Sequence, residues 1–219
     1  MGEDVRQEEE EGGEKHGRKY KYLFMATKQG LIKKTDLSEF GAIRSSGLIA
    51  IGLNEGDELA WVKPTTGNDE IMLVTRKARS IRFSEKDVRP MGRPAKGVIG
   101  IKFKQKDDEV IVMDVVRKGE DKLLVVSEKG YGKFTKLEEY ALQGRGGQGV
   151  FTFRVTAKTG GLVSARILDH PEKEILMMSE NGIAIRLPIK GLPIQHRQTT
   201  GVKLMRVGKD DKVAAIAMI

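Results

Sequence analysis

With 219 residues, 39% of them hydrophobic, the chain is long enough for one or two domains with a buried core. It has no cysteine, which excludes disulfides, thiol nucleophiles and Cys-based metal sites, and its three histidines (His16, His170, His196) are too few for a His-rich metal site. The net charge of +8 favours polyanionic partners, whereas aromatic residues at 5% argue against a base-stacking platform for single strands.

In chain order, residues 1–20 hold seven acids and four bases and read as an acidic linker or a long loop. No apolar segment follows the amino terminus, and no apolar run approaches the roughly 20 residues that span a bilayer. The expectation is a soluble, cytoplasmic protein with no membrane partner.

From residue 21 onward the text repeats four times, over 21–69, 70–118, 119–170 and 171–219. Each repeat opens with an apolar run, turns at a small residue and returns through basic ones. The turn residues Gly30, Ala78, Gly130 and Gly182 are 48, 52 and 52 positions apart. A second landmark keeps the same beat: Gly47, Gly97, Gly149 and Gly201 each follow an arginine, Arg44, Arg93, Arg145 and Arg197, by three or four residues. Short β-rich runs joined by Lys-Gln-Gly, Glu-Lys-Gly and Glu-Asn-Gly predict hairpins, because glycine adopts positive φ without strain. Ala78 departs from that pattern, so its turn is strained or of another type.

A third strand is predicted after each arginine–glycine landmark, over 48–53, 98–103, 150–155 and 202–207. A fourth follows over 58–62, 109–115, 162–168 and 213–218, and short helical turns fit 37–40 and 137–140. Four strands per fifty residues make an all-β, propeller-like architecture. The near-continuous apolar first strands suit positions covered on both faces by neighbouring blades.

Two rows of cations follow from the repeat. The first is the arginine landmark; Arg79 and Lys96 are further candidates from the basic second repeat. The third copy of the landmark reads Gln143-Gly144-Arg145-Gly146-Gly147-Gln148-Gly149, a glycine-rich loop whose bare backbone amides and guanidinium suit a phosphate. The second lies on the return strands: Lys33, Lys34, Arg82, Lys133 and Arg186. In a ring of blades, repeated cations form an arc that fits a bent duplex held through its phosphates. The second repeat, with thirteen bases against seven acids, is expected to be the strongest contact zone. His196, beside Arg197, is a further candidate phosphate contact.

No phosphate-binding loop, His–Glu metal spacing or nucleophile elbow occurs, so neither catalysis nor a cofactor is expected of this chain. The pairs Asp107-Asp108 and Asp210-Asp211 fall at hairpin tips, where turn chemistry accounts for them. Trp61, Met177 and Met178 are read as packing residues.

The segments from Tyr22 to Thr35, from Asp87 to Arg93 and from Gln143 to Gly149 resemble the DNA gyrase A C-terminal domain, and the likeness runs over residues 20–219. It implies a β-pinwheel, a propeller whose blades exchange strands. It also implies a non-catalytic role: binding and wrapping double-stranded DNA on a basic outer rim to support negative supercoiling by the ATP-dependent topoisomerase. The implied partners are the remaining gyrase A domains and the gyrase B subunit. That family usually has six blades where four are counted here, so a fragment or shortened member is expected, beginning in the loop before a second blade. Its signature box is Gln-basic-Arg-Gly-Gly-basic-Gly, and here Gly144 and Gln148 stand at the two basic places. The competing expectation is a propeller for protein interaction whose positive charge is incidental.

Overall fold

The computed structural model describes residues 19–41, 45–117, 121–168 and 174–219. Most of the acidic segment, His16, Arg44 and His170 lie outside the described residues. Among the described residues, fifteen strands run in chain order. They are β1 (Tyr22–Thr27), β2 (Leu31–Asp36), β3 (Leu59–Thr65), β4 (Glu70–Thr75), β5 (Arg79–Ser84), β6 (Val98–Ile99), β7 (Val110–Val116) and β8 (Lys122–Ser127). They continue as β9 (Tyr131–Lys136), β10 (Val150–Phe151), β11 (Leu162–Ile167), β12 (Glu174–Ser179), β13 (Ala184–Pro188), β14 (Val202–Lys203) and β15 (Val213–Met218). Single turns of 3-10 helix follow three return strands, at Leu37–Phe40, Glu85–Asp87 and Leu137–Glu139.

Each sheet is antiparallel, and the first three borrow a strand from the next repeat. The orders are β3-β1-β2-β6, β7-β4-β5-β10, β11-β8-β9-β14 and β15-β12-β13. Thus β6, encoded in the second repeat, completes the first sheet, and β10 and β14 do the same for the second and third. The inner edges touch in sequence, β3 on β7, β7 on β11 and β11 on β15, with no comparable packing of β15 on β3 among the described residues. The four blades therefore form an open arc, with β6, β10 and β14 on its outer edge.

The first strands explain why the blades stack. Successive strand residues point to opposite faces. In β4, Ile71 and Leu73 enter the core shared with the first sheet, while Met72 and Val74 enter the core shared with the third. In β8, Leu123 and Val125 face back and Leu124 and Val126 face forward. The expectation of strands covered on both faces holds for β4 and β8. In the last sheet, Ile175 and Met177 are buried, but Met178 is exposed, a correction to its reading as packing. Trp61 packs on the first core as expected.

The third strands are shorter than the sequence suggests. In the second, third and fourth repeats only the first two residues after each landmark pair with a neighbour, because the backbone then leaves the sheet; residues 48–53 form no strand. Ala78 makes the hairpin turn in the same left-handed conformation as the glycines, at φ 61°. Its methyl is fully buried, so the crossing chain leaves room for it there. At Gly130 the same turn has no such room, since a Cβ would lie 2.2 Å from the Met205 carbonyl oxygen. One acid of each pair acts as expected at its turn: Asp108 accepts from the Lys77 and Glu109 amides, each at 2.9 Å, and from Thr75 Oγ1 at 2.7 Å, and Asp211 accepts from the Asn181 and Lys212 amides at 3.1 and 2.8 Å.

Candidate nucleic-acid interface

The outer edge is built from the arginine–glycine loops, each resting on the return strand before it. Val150 pairs with Ser80 and Phe151 with Arg79; Val202 pairs with Gly132 and Lys203 with Tyr131. Successive loops also join one another, through Gly146 N to Gly100 O at 2.7 Å, Lys102 N to Gly147 O at 2.9 Å and Arg154 N to Thr199 O at 3.0 Å. The arginines reinforce this chain. Arg145 Nη1 donates to Ile99 O at 3.2 Å and its Nε to Asp87 O at 2.9 Å. Arg197 Nη1 donates to Phe151 O at 3.0 Å.

Several cations expected on this surface are inside the protein. Lys33 and Lys133 are fully buried, and Lys34 nearly so. Lys33 Nζ donates to the carbonyls of Ala50 and Arg93, and Lys133 Nζ to those of His196 and Arg197. Lys34 Nζ donates to Glu85 O at 2.9 Å and lies over the Tyr22 ring. Arg82 pairs with Glu70 at 2.6 Å and donates to the carbonyls of Leu137 and Tyr140. These four side chains tie one blade to the next and present no free charge to a phosphate. Adjacent residues on a strand point to opposite faces, and at Lys33 and Lys34 both faces are covered.

The ties alternate along the arc. Lys33 and Glu39 hold the loop of Arg93 from beneath, Glu39 Oε2 accepting from the Arg93 amide at 3.2 Å. Lys133 and Glu139 hold the loop of Arg197 in the same way, at 3.1 Å. The intervening return strand carries Ile81 and Asp87 at those places, and there Arg145 reaches down to the Asp87 carbonyl instead.

Burial pushes the Lys133 ammonium down to about 8, with Glu139 opposing the shift and Arg197 adding to it. Burial likewise lowers Lys33 and Lys34 from the ordinary lysine value. For Lys133 the native state releases its proton before the unfolded chain does, so the unfolding free energy should rise with pH between about 8 and 10.5. The slope is at most about 1.4 kcal/mol per pH unit. Lys133→Met should lose that slope. Urea midpoints at pH 7, 8.5 and 9.5 measure it, and equal slopes in the two proteins would refute the assignment.

The remaining expected residues occupy the surface to different degrees. Arg93, Arg145, Arg197 and Arg79 are half-exposed, and the Arg79 guanidinium stacks 3.7 Å above the Phe151 ring. Lys96 is exposed and donates to Asn54 at 2.9 Å. Arg186 is exposed and paired with Glu174 at 2.6 Å. His196 is exposed and 3.0 Å from Glu139. In the second repeat Arg76 bridges Glu109 and Glu128, each at 2.8 Å, and Lys77 pairs with Asp107, so part of its charge is neutralised. Within the glycine-rich loop, Gly149 lies against the Ser80 carbonyl, whereas a methyl placed on Gly144 would have nothing within 4 Å.

One row was missed by sequence reasoning. Lys102, Arg154 and Arg206 are exposed, and among the described residues their side chains make no hydrogen bond or ion pair. They stand 52 and 52 positions apart, each four residues past the first residue of β6, β10 or β14. The repeat spacing carried the signal, but these residues sit in segments read as third strands. Among the described residues no cluster of acids and histidines could hold a metal ion, and no helix is long and apolar enough to cross a membrane.

Blades that finish their sheets with a strand of the following repeat define a β-pinwheel. Four consecutive segments, 21–66, 69–117, 121–169 and 173–219, match the family described as DNA gyrase C-terminal domain, beta-propeller, and the chain belongs to that family. It is 41% identical over 199 residues to the DNA gyrase A protein of Staphylococcus epidermidis and 42% identical over 198 residues to that of Mycolicibacterium smegmatis. Each alignment takes in 90% of this chain but only 22–23% of the relative, so the chain spans less than a quarter of their length. A solved DNA gyrase A C-terminal domain superposes with a TM-score of 0.80 at 25% identity, covering 91% of this chain and 66% of that one. The C-terminal domain of a DNA topoisomerase IV shares the fold, with a TM-score of 0.85 at 23% identity over 91% of this chain and 62% of that one.

Proposed function

We propose that the chain is a non-catalytic domain that binds double-stranded DNA along its outer edge and bends it around the arc, as part of a cytoplasmic gyrase. The observation that carries the reading is the row Lys102, Arg154 and Arg206. These uncommitted cations recur from blade to blade, beside loops whose backbone is fixed by neighbouring blades. Arg79, Arg93, Lys96, Arg145, Arg186 and Arg197 add charge around it. Phosphates are the ligands such a row fits, because cations repeating at one radius follow a curved polyanion and read no bases. In a full ATP-dependent topoisomerase, with the remaining gyrase A domains and the gyrase B subunit, that bend presents one DNA segment to another with fixed handedness and supports negative supercoiling.

A salt titration of binding to a labelled duplex tests the reading. With about five phosphates neutralised, log K should fall by roughly 4.5 per tenfold rise in salt, with no dependence on sequence. Ligation of nicked circles bound to the protein should then shift the topoisomer distribution in one direction, as wrapping requires. No binding at low salt would sink the proposal and favour a protein-interaction module.

A further inference from the structure

A cavity of about 620 Å³ lies beside β10, between the second and third sheets. Its walls are drawn from three repeats: Lys77 and Gln105 from the second, Phe151, Phe153 and Arg154 from the third, and Gln198 from the fourth. That volume falls within the range of small-ligand sites, about 300–1,000 Å³. Neighbouring blades fix the backbone around it. Thr152 N donates to Ala78 O at 2.9 Å and Arg154 N to Thr199 O at 3.0 Å, while Phe151 O accepts from Arg197 Nη1 at 3.0 Å.

Three kinds of group meet there. Phe153 is buried, whereas Phe151 is 44% exposed. The Arg79 guanidinium covers one face of the Phe151 ring, and the exposed remainder of the ring suits a second planar group. Gln105 and Gln198 are exposed, and among the described residues neither side-chain amide makes a hydrogen bond. Each can therefore donate to and accept from the polar edge of such a group. Arg154 offers an uncommitted guanidinium, whose fork of donors fits a phosphate, whereas the Lys77 charge is offset by Asp107 at 2.7 Å. The flanking joints lack this set: Ile99 and Lys203 stand 52 residues before and after Phe151, and Gly146 stands 52 before Gln198.

We propose that this cavity holds one unstacked nucleotide, with its base on the Phe151 ring, the base edge on Gln105 and Gln198, and its phosphate on Arg154. A planar ring with a hydrogen-bonding edge and an attached phosphate engages all three kinds of group at once; a base alone or a phosphate alone does not. The choice of a nucleotide over other aromatic anions rests on reading the outer edge as a DNA surface, since Arg154 belongs to both. A paired base is stacked inside its duplex and does not reach Phe151. The occupant is therefore an unpaired base of the bound strand or a free nucleotide, two sources of the same chemistry.

Calorimetric titration of the whole chain with dAMP, without DNA, tests the site. The nucleotide should bind at roughly millimolar concentration or below, and deoxyadenosine and inorganic phosphate at least about tenfold more weakly. Phe151→Leu keeps an apolar side chain on the same strand but removes the ring. It should weaken dAMP binding about tenfold or more and leave the unfolding temperature in place. The source is separated by comparing a fully paired duplex with one carrying a single unpaired adenine. If the bound strand supplies the base, the parent should bind the bulged duplex several-fold more tightly, and Phe151→Leu should bind the two alike. If a free nucleotide is the occupant, the parent too should bind the two duplexes alike, with dAMP still bound. Absence of both dAMP binding and the bulge preference would overturn the proposal. So would dAMP binding that inorganic phosphate matches or that Phe151→Leu leaves unchanged. A chain that binds no duplex would sink the DNA reading instead, and the dAMP titration would still decide the cavity.

Discussion

Replacing Gly149 with Ala is expected to destabilise the protein by about 3 kcal/mol or more, lowering its melting temperature by roughly 6–12 °C. Gly149 has φ 64°, which alone costs an alanine about 1–2 kcal/mol. Its new methyl would also lie 2.3 Å from the Ser80 oxygen and 2.8 Å from the Ser80 carbonyl carbon, neither of which belongs to a movable side chain. Relief requires the loop to lift off the return strand, and the pairs Val150–Ser80 and Phe151–Arg79 would go with it. Gly144→Ala, five residues away in the same loop, should change stability by less than about 0.5 kcal/mol, because its methyl would meet open space. Thermal unfolding of the two variants measures the difference. Equal stability would mean that the loop does not rest on the strand as described.

The second large effect is on DNA. The triple variant Lys102→Ala, Arg154→Ala and Arg206→Ala should bind duplex at least roughly tenfold more weakly at moderate salt, with a salt slope smaller by about 3. Its unfolding should be unchanged within about 0.5 kcal/mol, since the three side chains are exposed and touch no partner among the described residues. Arg82→Ala should do the reverse, costing stability through its lost ties to Glu70, Leu137 and Tyr140. A triple variant with the parent's salt slope would remove the row from the interface.

Much of the fold was legible because periodicity records it. The spacing of Gly30, Ala78, Gly130 and Gly182 marks the hairpins, and the doubly apolar runs at Ile71 and Leu123 mark strands with a neighbour on each face. Which sheet a strand joins was not legible: Val98–Ile99 carries no local signal that it pairs with Leu31 and Ile32 rather than within its own repeat. The surface was harder to read for a related reason. A lysine in a strand reads as exposed, and only the crossing loop of the next blade, supplying carbonyls to Lys33 and Lys133, makes burial tolerable. The landmark glycines look like room for a phosphate, but at Gly149 the room is taken by the protein's own backbone.

Borrowed outer strands also set the order in which the molecule can be finished during synthesis. The second sheet begins at Glu70, but its last strand is not made until Phe151 leaves the ribosome. Each of the first three blades therefore waits, with one edge open, for the next repeat to emerge. A nascent chain halted before the borrowed strand of the next repeat has emerged, anywhere between Ser84 and Val150 for the second blade, exposes that edge to any strand nearby, and these are the intervals in which misassembly with another nascent copy is most exposed.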